Sequence, residues 1–265
     1  MNNYALIGKR LGHSYSQQYF EDLFRCLGLV DHHYSLHEMP SLEGLRDWIA
    51  AEDIRGFNVT VPYKQSIISM LDHIDADAES IGAVNCVTVN HGKLTGHNTD
   101  APAFLTSLDH TGWTPSQALI LGTGGAAQAV AHALRQRDIP FRFVSRHPEQ
   151  HPDAIGYNQF SIFNFQFSTL IVNTTPVGMY PDIDSSPLSD SFQSSSLDYS
   201  YFSRCSVSLR DAILNFQFLY DLIYNPSPTL LMRQAAALGA KTKDGLEMLH
   251  LQAALSWNFF NQSLG

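Results

Sequence analysis

The sequence predicts an α/β protein of two domains, and three observations carry the prediction. An apolar run of strand length at 118–121 feeds directly into Gly122, Gly124 and Ala127, spaced Gly-x-Gly-x-x-Ala, and then into an Ala-rich helical pattern through Ala129, Val130, Ala133 and Leu134. Strand-like runs recur at 141–144, 169–172 and 218–223, separated by helical or loop stretches as a parallel sheet requires. Ahead of these, the first hundred residues hold their own alternation of short strands and amphipathic helices, the mark of a second α/β unit.

Taken in order, residues 4–7 form a short strand. A loop through Gly12, His13, Ser14, Tyr15 and Ser16 then leads into a helix with Tyr19, Phe20, Leu23, Phe24 and Leu27 on its apolar face. Ser14 and Ser16 are either helix caps or ligand-facing hydroxyls. A strand at 34–36 is followed by Ser41, placed to cap a helix that turns Leu42, Leu45 and Ile49 inward. In the stretch 56–64, strict alternation puts Phe57, Val59 and Val61 on one face and Asn58 and Thr60 on the other. Lys64 opens the helix beyond Pro62, so one strand end presents an amide, a hydroxyl and an ammonium. That set suits a polyhydroxylated acid, or Asn58 and Thr60 are surface residues of a half-exposed strand. A hairpin turns at 90–93, and Pro102 lies in the first turn of a helix that buries Phe104, Leu105 and Leu108, with Thr99 or Asp100 as its cap.

At the glycine turn, Gly122 permits the tight bend, Gly124 lets the backbone approach a pyrophosphate and Ala127 lets the helix sit close to the sheet. A ligand-free strand-to-helix turn has the same pattern. About twenty residues on, where an NAD site carries an acid, the strand ends in Ser145 and Arg146. A guanidinium suits a 2′-phosphate and points to NADP, the alternative being a solvated loop arginine.

Length and composition fit a soluble enzyme: 265 residues make one large or two modest domains, and 44% hydrophobic content is ordinary. The net charge of −9 argues against a nucleic-acid footprint and requires any anionic ligand to be held by local groups. The start, Met1-Asn2-Asn3-Tyr4, has no targeting pattern and no run reaches membrane-spanning length, so a cytoplasmic location is expected. Cys26, Cys86 and Cys205 are widely spaced, which fits free thiols, and the twelve His show no metal-binding spacing.

Over nearly its whole length the chain resembles the shikimate dehydrogenases, NADP-dependent enzymes that interconvert 3-dehydroshikimate and shikimate. The matching stretches are 13–16, 57–64, 82–85, 98–100, 122–127, 173–179, 220–226 and 245–249. The resemblance implies an N-terminal α/β substrate domain of residues 1–100 plus 241–265, a Rossmann-like NADP-binding domain of 101–240, and a deep cleft between them. It implies that Ser14, Ser16, Asn58, Thr60, Asn85, Tyr224 and Gln252 bind the substrate and that Lys64 and Asp100 are the catalytic pair. Gly122, Gly124, Gly125, Ala126, Ser145, Arg146, Thr174, Pro176 and Gly245 fall at cofactor-binding positions. The implied partners are the small-molecule substrate and NADP(H), in a monomer or homodimer with no metal.

The chain departs from the family pattern in places: Ala101 and Ala103 replace glycines, a second cation is missing after Arg146, and Glu247 stands where many members have glycine. A Ser-rich segment, 185–216, reads as a surface excursion. A quinate-accepting dehydrogenase is one alternative, and the paired hydroxyls of Ser14 and Ser16 are the feature against it. A non-enzymatic shikimate or nucleotide sensor is the other, and retention of both Lys64 and Asp100 tells against that.

Overall fold

A computed structural model describes residues 1–12, 14–157, 159, 168–188 and 216–262. His13, Cys205 and nearly all of the Ser-rich segment lie outside them. The chain separates into two compact units. One comprises Met1–Ser107, Gln128–His132 and Met248–Gly265, the other Leu108–Ala127 and Ala133–Glu247. Both are α/β, as the sequence predicts.

The first unit holds strands β1 (Asn2–Gly8), β2 (His32–Glu38), β3 (Ile54–Val59), β4 (His73–Ile74), β5 (Cys86–Asn90) and β6 (Lys93–His97) in the order β2-β1-β3-β5-β6-β4. β1, β2 and β3 run parallel, while β5 pairs antiparallel with β3 and β6. Alternation along β1 sorts the core. Ala5 and Ile7 pack on one side with Leu45 and Ile49 of α2 (Leu45–Ala51) and with Phe57 and Val59. Tyr4 and Leu6 pack on the other with Phe20 and Phe24 of α1 (Ser16–Leu27) and Trp257 and Phe260 of α7 (Leu246–Gln262). Between β4 and β5 runs α3 (Ala76–Ile81), started by Asp75, whose carboxylate accepts from Ala78 N.

Several local expectations need correction. Tyr15, not a serine, takes the cap position of α1 and makes no side-chain cap bond. Ser14 Oγ instead accepts from Ser16 N at 3.2 Å. Ser41 closes a local turn by accepting from Glu43 N, and the chain passes through a left-handed Gly44, so α2 begins only at Leu45. Val61 is 66% exposed because β3 stops at Val59, before the alternation reaches it. Lys64 precedes a short 3-10 helix, Ser66–Met70. On α7 Met248, Ala253, Ser256, Trp257 and Phe260 are buried, and Leu251, Leu255 and Phe259 are half-buried.

The second unit is a six-stranded parallel sheet in the order β12-β11-β10-β7-β8-β9. Its strands are β7 (Gln117–Leu121), β8 (Phe141–Ser145), β9 (Ala154–Gly156), β10 (Thr169–Asn173), β11 (Phe216–Asp221) and β12 (Lys241–Lys243). This is the doubly wound order, whose direction reverses between β7 and β10. Its core joins Leu119, Leu121, Val144, Ile171 and Leu219 to Leu231, Met232 and Ala235 of α6 (Leu230–Ala237). The helix α5 (Gly125–Gln136) follows β7 directly, with Ala129, Val130, Ala133 and Leu134 all buried. Among the described residues no helix is long and apolar enough to cross a membrane.

Candidate active site

In the first unit, Lys64 Nζ donates to Asp100 Oδ2 at 2.7 Å, with the two side chains 15% and 6% exposed. Their placement follows from the elements around them. Thr60 N bonds Ile7 O, Tyr63 N bonds Thr60 O and Val84 N bonds Lys64 O, so the turn after β3 is tied to β1 and to the segment before β5. Asp100 begins α4 (Asp100–Asp109). The capping expected of Thr99 or Asp100 falls instead to Asn98, whose Oδ1 accepts from Ala101 N while its amide donates to Ala83 O. Asp100 is thereby left to hold the ammonium.

Beside this pair lies a buried polar network. Asn85 Oδ1 accepts from Thr99 N at 2.7 Å, and its Nδ2 donates to Thr99 Oγ1 at 2.9 Å and to Gln252 Oε1 at 3.5 Å. Asn58 spends both amide protons internally, on Asn85 O and on Ser256 Oγ, and its Oδ1 accepts from Tyr34 OH at 2.9 Å. It is 5% exposed, so the half-exposed alternative does not hold. Burial pushes the Tyr34 hydroxyl well above the ordinary tyrosine range, which keeps it a proton donor. Ser256 Oγ donates to Gln252 O, lies 3.3 Å from Thr99 Oγ1 and completes the mesh. Thus Asn58, Lys64, Asn85, Asp100 and Gln252, drawn from four separate stretches, are brought together. Thr60 sits at the strand end, Ser14 in the β1–α1 loop and Ser16 at the first position of α1. Tyr224 belongs to the second unit. Sequence reasoning missed Tyr34 and Ser256; a hydroxyl recurring on an otherwise apolar face is the one signal either offered.

In the second unit the glycine turn lies where the strand order reverses. Gly122 has φ +105°, and a Cβ there would press on Thr174 Oγ1, which itself bonds Leu121 O at 2.6 Å. Gly124 takes the cap position of α5 in extended conformation with no side-chain cap bond, a Cβ on it would meet nothing within 4 Å, and the first turn carries no acid. Open space before uncapped helix N–H groups is what a pyrophosphate requires. Arg146 stands exposed at the end of β8, next to β7, in the position that suits a 2′-phosphate. Ser145 Oγ accepts from His147 N. These residues fit a phosphorylated dinucleotide. At Gly245 a Cβ would run into the Leu222 carbonyl, so this glycine is required by close backbone approach. Among the described residues no group of three or more His, Cys, Asp or Glu is arranged to hold a metal ion. Cys26 and Cys86 are free thiols.

Residues 6–87 match the family model of the shikimate dehydrogenase substrate binding domain. The shikimate dehydrogenase (NADP(+)) of Bacillus subtilis is 34% identical over 97% of this chain and 90% of its own length, and that of Clostridium beijerinckii is 32% identical over 96% and 89%. Among solved structures, shikimate dehydrogenase 1 of Peptoclostridium difficile superposes with a TM-score of 0.83 at 32% identity, covering 99% of this chain and 92% of the other. The shikimate 5-dehydrogenase of Thermus thermophilus, solved with NADP(H) and shikimate, gives 0.79 at 30% identity, over 99% and 94%.

Proposed function

The chain belongs to the shikimate dehydrogenase family, NADP-dependent oxidoreductases acting on a CH–OH group, and we propose on that footing that it reversibly reduces 3-dehydroshikimate to shikimate in aromatic amino acid biosynthesis. The observation that carries the reading is the shielded Lys64–Asp100 pair set against the Asn85–Thr99–Gln252 network.

NADPH, when bound, supplies the hydride. Lys64 Nζ gives a proton to the oxygen on which charge develops, and Asp100 keeps the ammonium charged and aimed. Asn85 and Gln252 orient ring hydroxyls, with Thr60 at the strand end. Asn58 serves the pocket by holding Asn85 and Ser256 in place. Ser14 and Ser16 hold the carboxylate with neutral donors, as a chain of net charge −9 favours. Gly122, Gly124, Gly125 and Ala126 take the pyrophosphate, Ser145 and Arg146 the 2′-phosphate, and Thr174, Pro176 and Gly245 the remaining cofactor contacts. We place the activity in the cytoplasm, in a monomer or homodimer.

The test is steady-state kinetics with shikimate and NADP+, with quinate and NAD+ run in parallel. Lys64→Ala should lower kcat by at least about a hundredfold with a much smaller change in shikimate KM, because a proton donor is needed chiefly in the transition state. A folded variant with near-native kcat would remove Lys64 from the reaction.

A further inference from the structure

One buried acid in the second unit takes no part in the chemistry above. Asp221 closes β11 opposite Asn173, its register partner on β10, at the strand ends where a doubly wound sheet binds its ligands. It is fully buried and makes no ion pair among the described residues. All its bonds are accepted ones. Oδ1 takes Asn173 Nδ2 at 2.9 Å and Ile223 N at 3.1 Å, and Oδ2 takes Thr229 Oγ1 at 2.7 Å. Each donor leads onward. Asn173 Oδ1 accepts from Thr175 N and Thr175 Oγ1, and that hydroxyl accepts from Val177 N. Thr229 Oγ1 accepts from Met232 N and so caps α6. The carboxylate therefore joins the loop carrying Thr174 and Pro176 to the loop carrying Tyr224.

We propose that Asp221 is a positioning residue of the reaction, an all-acceptor hub that sets the cofactor-side loop after β10 and the loop after β11 in register with each other. The proposal rests on the functional reading above, which gives the first of those loops its cofactor contacts. It turns on the carboxylate form. Thr229 is 1% exposed and its hydroxyl proton points at Asp221 Oδ2. A proton on that oxygen, or an amide nitrogen in its place, confronts the Thr229 proton and leaves it without an acceptor. Asn at 221 and protonated Asp at 221 are thus equivalent: each can only turn this tie round, with Thr229 Oγ1 accepting, and so strands the buried Thr229 proton.

The charges on neighbouring elements do not compensate. β10 carries none; on α6, Arg233 binds Pro228 O, and on β12, Lys243 is engaged by Glu247. Lys241 lies over the Phe218 ring, and Asp244 acts on Asp221 as a like charge. Burial foremost, then Asp244, pushes the Asp221 carboxyl up to about 6 against the three hydrogen bonds that favour its ionised form.

The experiment follows amide hydrogen exchange of Thr175 and Ile223 in the ligand-free protein, and calorimetric NADP+ affinity, from pH 5 to 8. In the native chain, Kd should rise roughly tenfold as the carboxyl protonates, the worth of one buried hydrogen bond, and protection against local openings that leave Asp221 buried should fall with it, while stability against global unfolding moves the opposite way. Asp221→Asn should sit at the acid-side level throughout. Thr229→Val, which takes a donor from the carboxylate, should move the native midpoint to higher pH. The cofactor's own 2′-phosphate titrates in this range for every variant alike, so the difference from native is what is read. Native exchange and Kd in Asp221→Asn, with only its melting temperature lowered, would overturn the proposal. If that variant does not fold, coincident pH midpoints in the native and Thr229→Val proteins overturn it instead. Failure of the native chain to oxidise shikimate would sink the functional reading separately.

Discussion

Replacing Asp221 with Asn should stabilise the protein at neutral pH relative to acid pH, when each is compared with the native chain. The carboxyl is fully buried and titrates at about 6 instead of 3.8, with desolvation the largest cause. A folded-state value above the unfolded one means that its favourable contribution is complete below about pH 4 and is lost as pH rises through the folded value. The interval from 3.8 to about 6 corresponds to roughly 3 kcal/mol. Asn has no proton to release and carries no such slope. Urea unfolding of both proteins at fixed temperature from pH 4 to 8 gives the difference in unfolding free energy. That difference should climb by roughly 3 kcal/mol in favour of the variant, nearly all of it below about pH 7. It rides on a constant offset of about 1 to 3 kcal/mol against the variant, for the stranded Thr229 hydroxyl. The slope alone is diagnostic: a difference independent of pH would refute the claim that burying this carboxylate is costly.

Arg146→Ala should raise KM for NADP+ by a factor corresponding to about 1.5 to 3 kcal/mol while hardly changing that for NAD+; equal losses with both would deny Arg146 the 2′-phosphate. Tyr34→Phe strands the Asn58 Oδ1 acceptor and should cost about 1 to 3 kcal/mol in thermal unfolding, and an unchanged melting temperature would mean that the bond contributes nothing. Gly245→Ala drives a methyl into the Leu222 carbonyl and should weaken NADP+ binding measured by fluorescence titration, which a native Kd would contradict.

Four strands of the doubly wound sheet, β7, β8, β10 and β11, were legible because each is a mainly apolar run closed by turn residues, and because Gly122 and Gly124 mark the single bend at which backbone must approach a ligand; β9 and β12, three residues each and the latter Lys-Thr-Lys, offered no such run. The Lys64–Asp100 pair was legible only through resemblance. Thirty-six residues separate the two, and no spacing rule brings a residue after β3 to the start of α4. Caps were misassigned where several polar residues stood in a row: Asn98, Thr99 and Asp100 can each cap in principle, and tertiary partners decide which does. Val61 continues the period of β3 in sequence only, since hydrogen bonding ends at Val59.

The bond from Asn58 to Ser256 spans 198 residues, and it carries a consequence for how the chain is made. Translation delivers α7 only after every residue of the second unit has been synthesised. Until then Tyr4, Phe20, Phe24 and Tyr34 lack Trp257 and Phe260, and Asn58 lacks a partner for one amide proton. The half of the molecule that begins first therefore finishes last. Its aromatic cluster stays without the cover of Trp257 and Phe260 throughout synthesis of the second unit, whose own residues are nearly continuous in sequence.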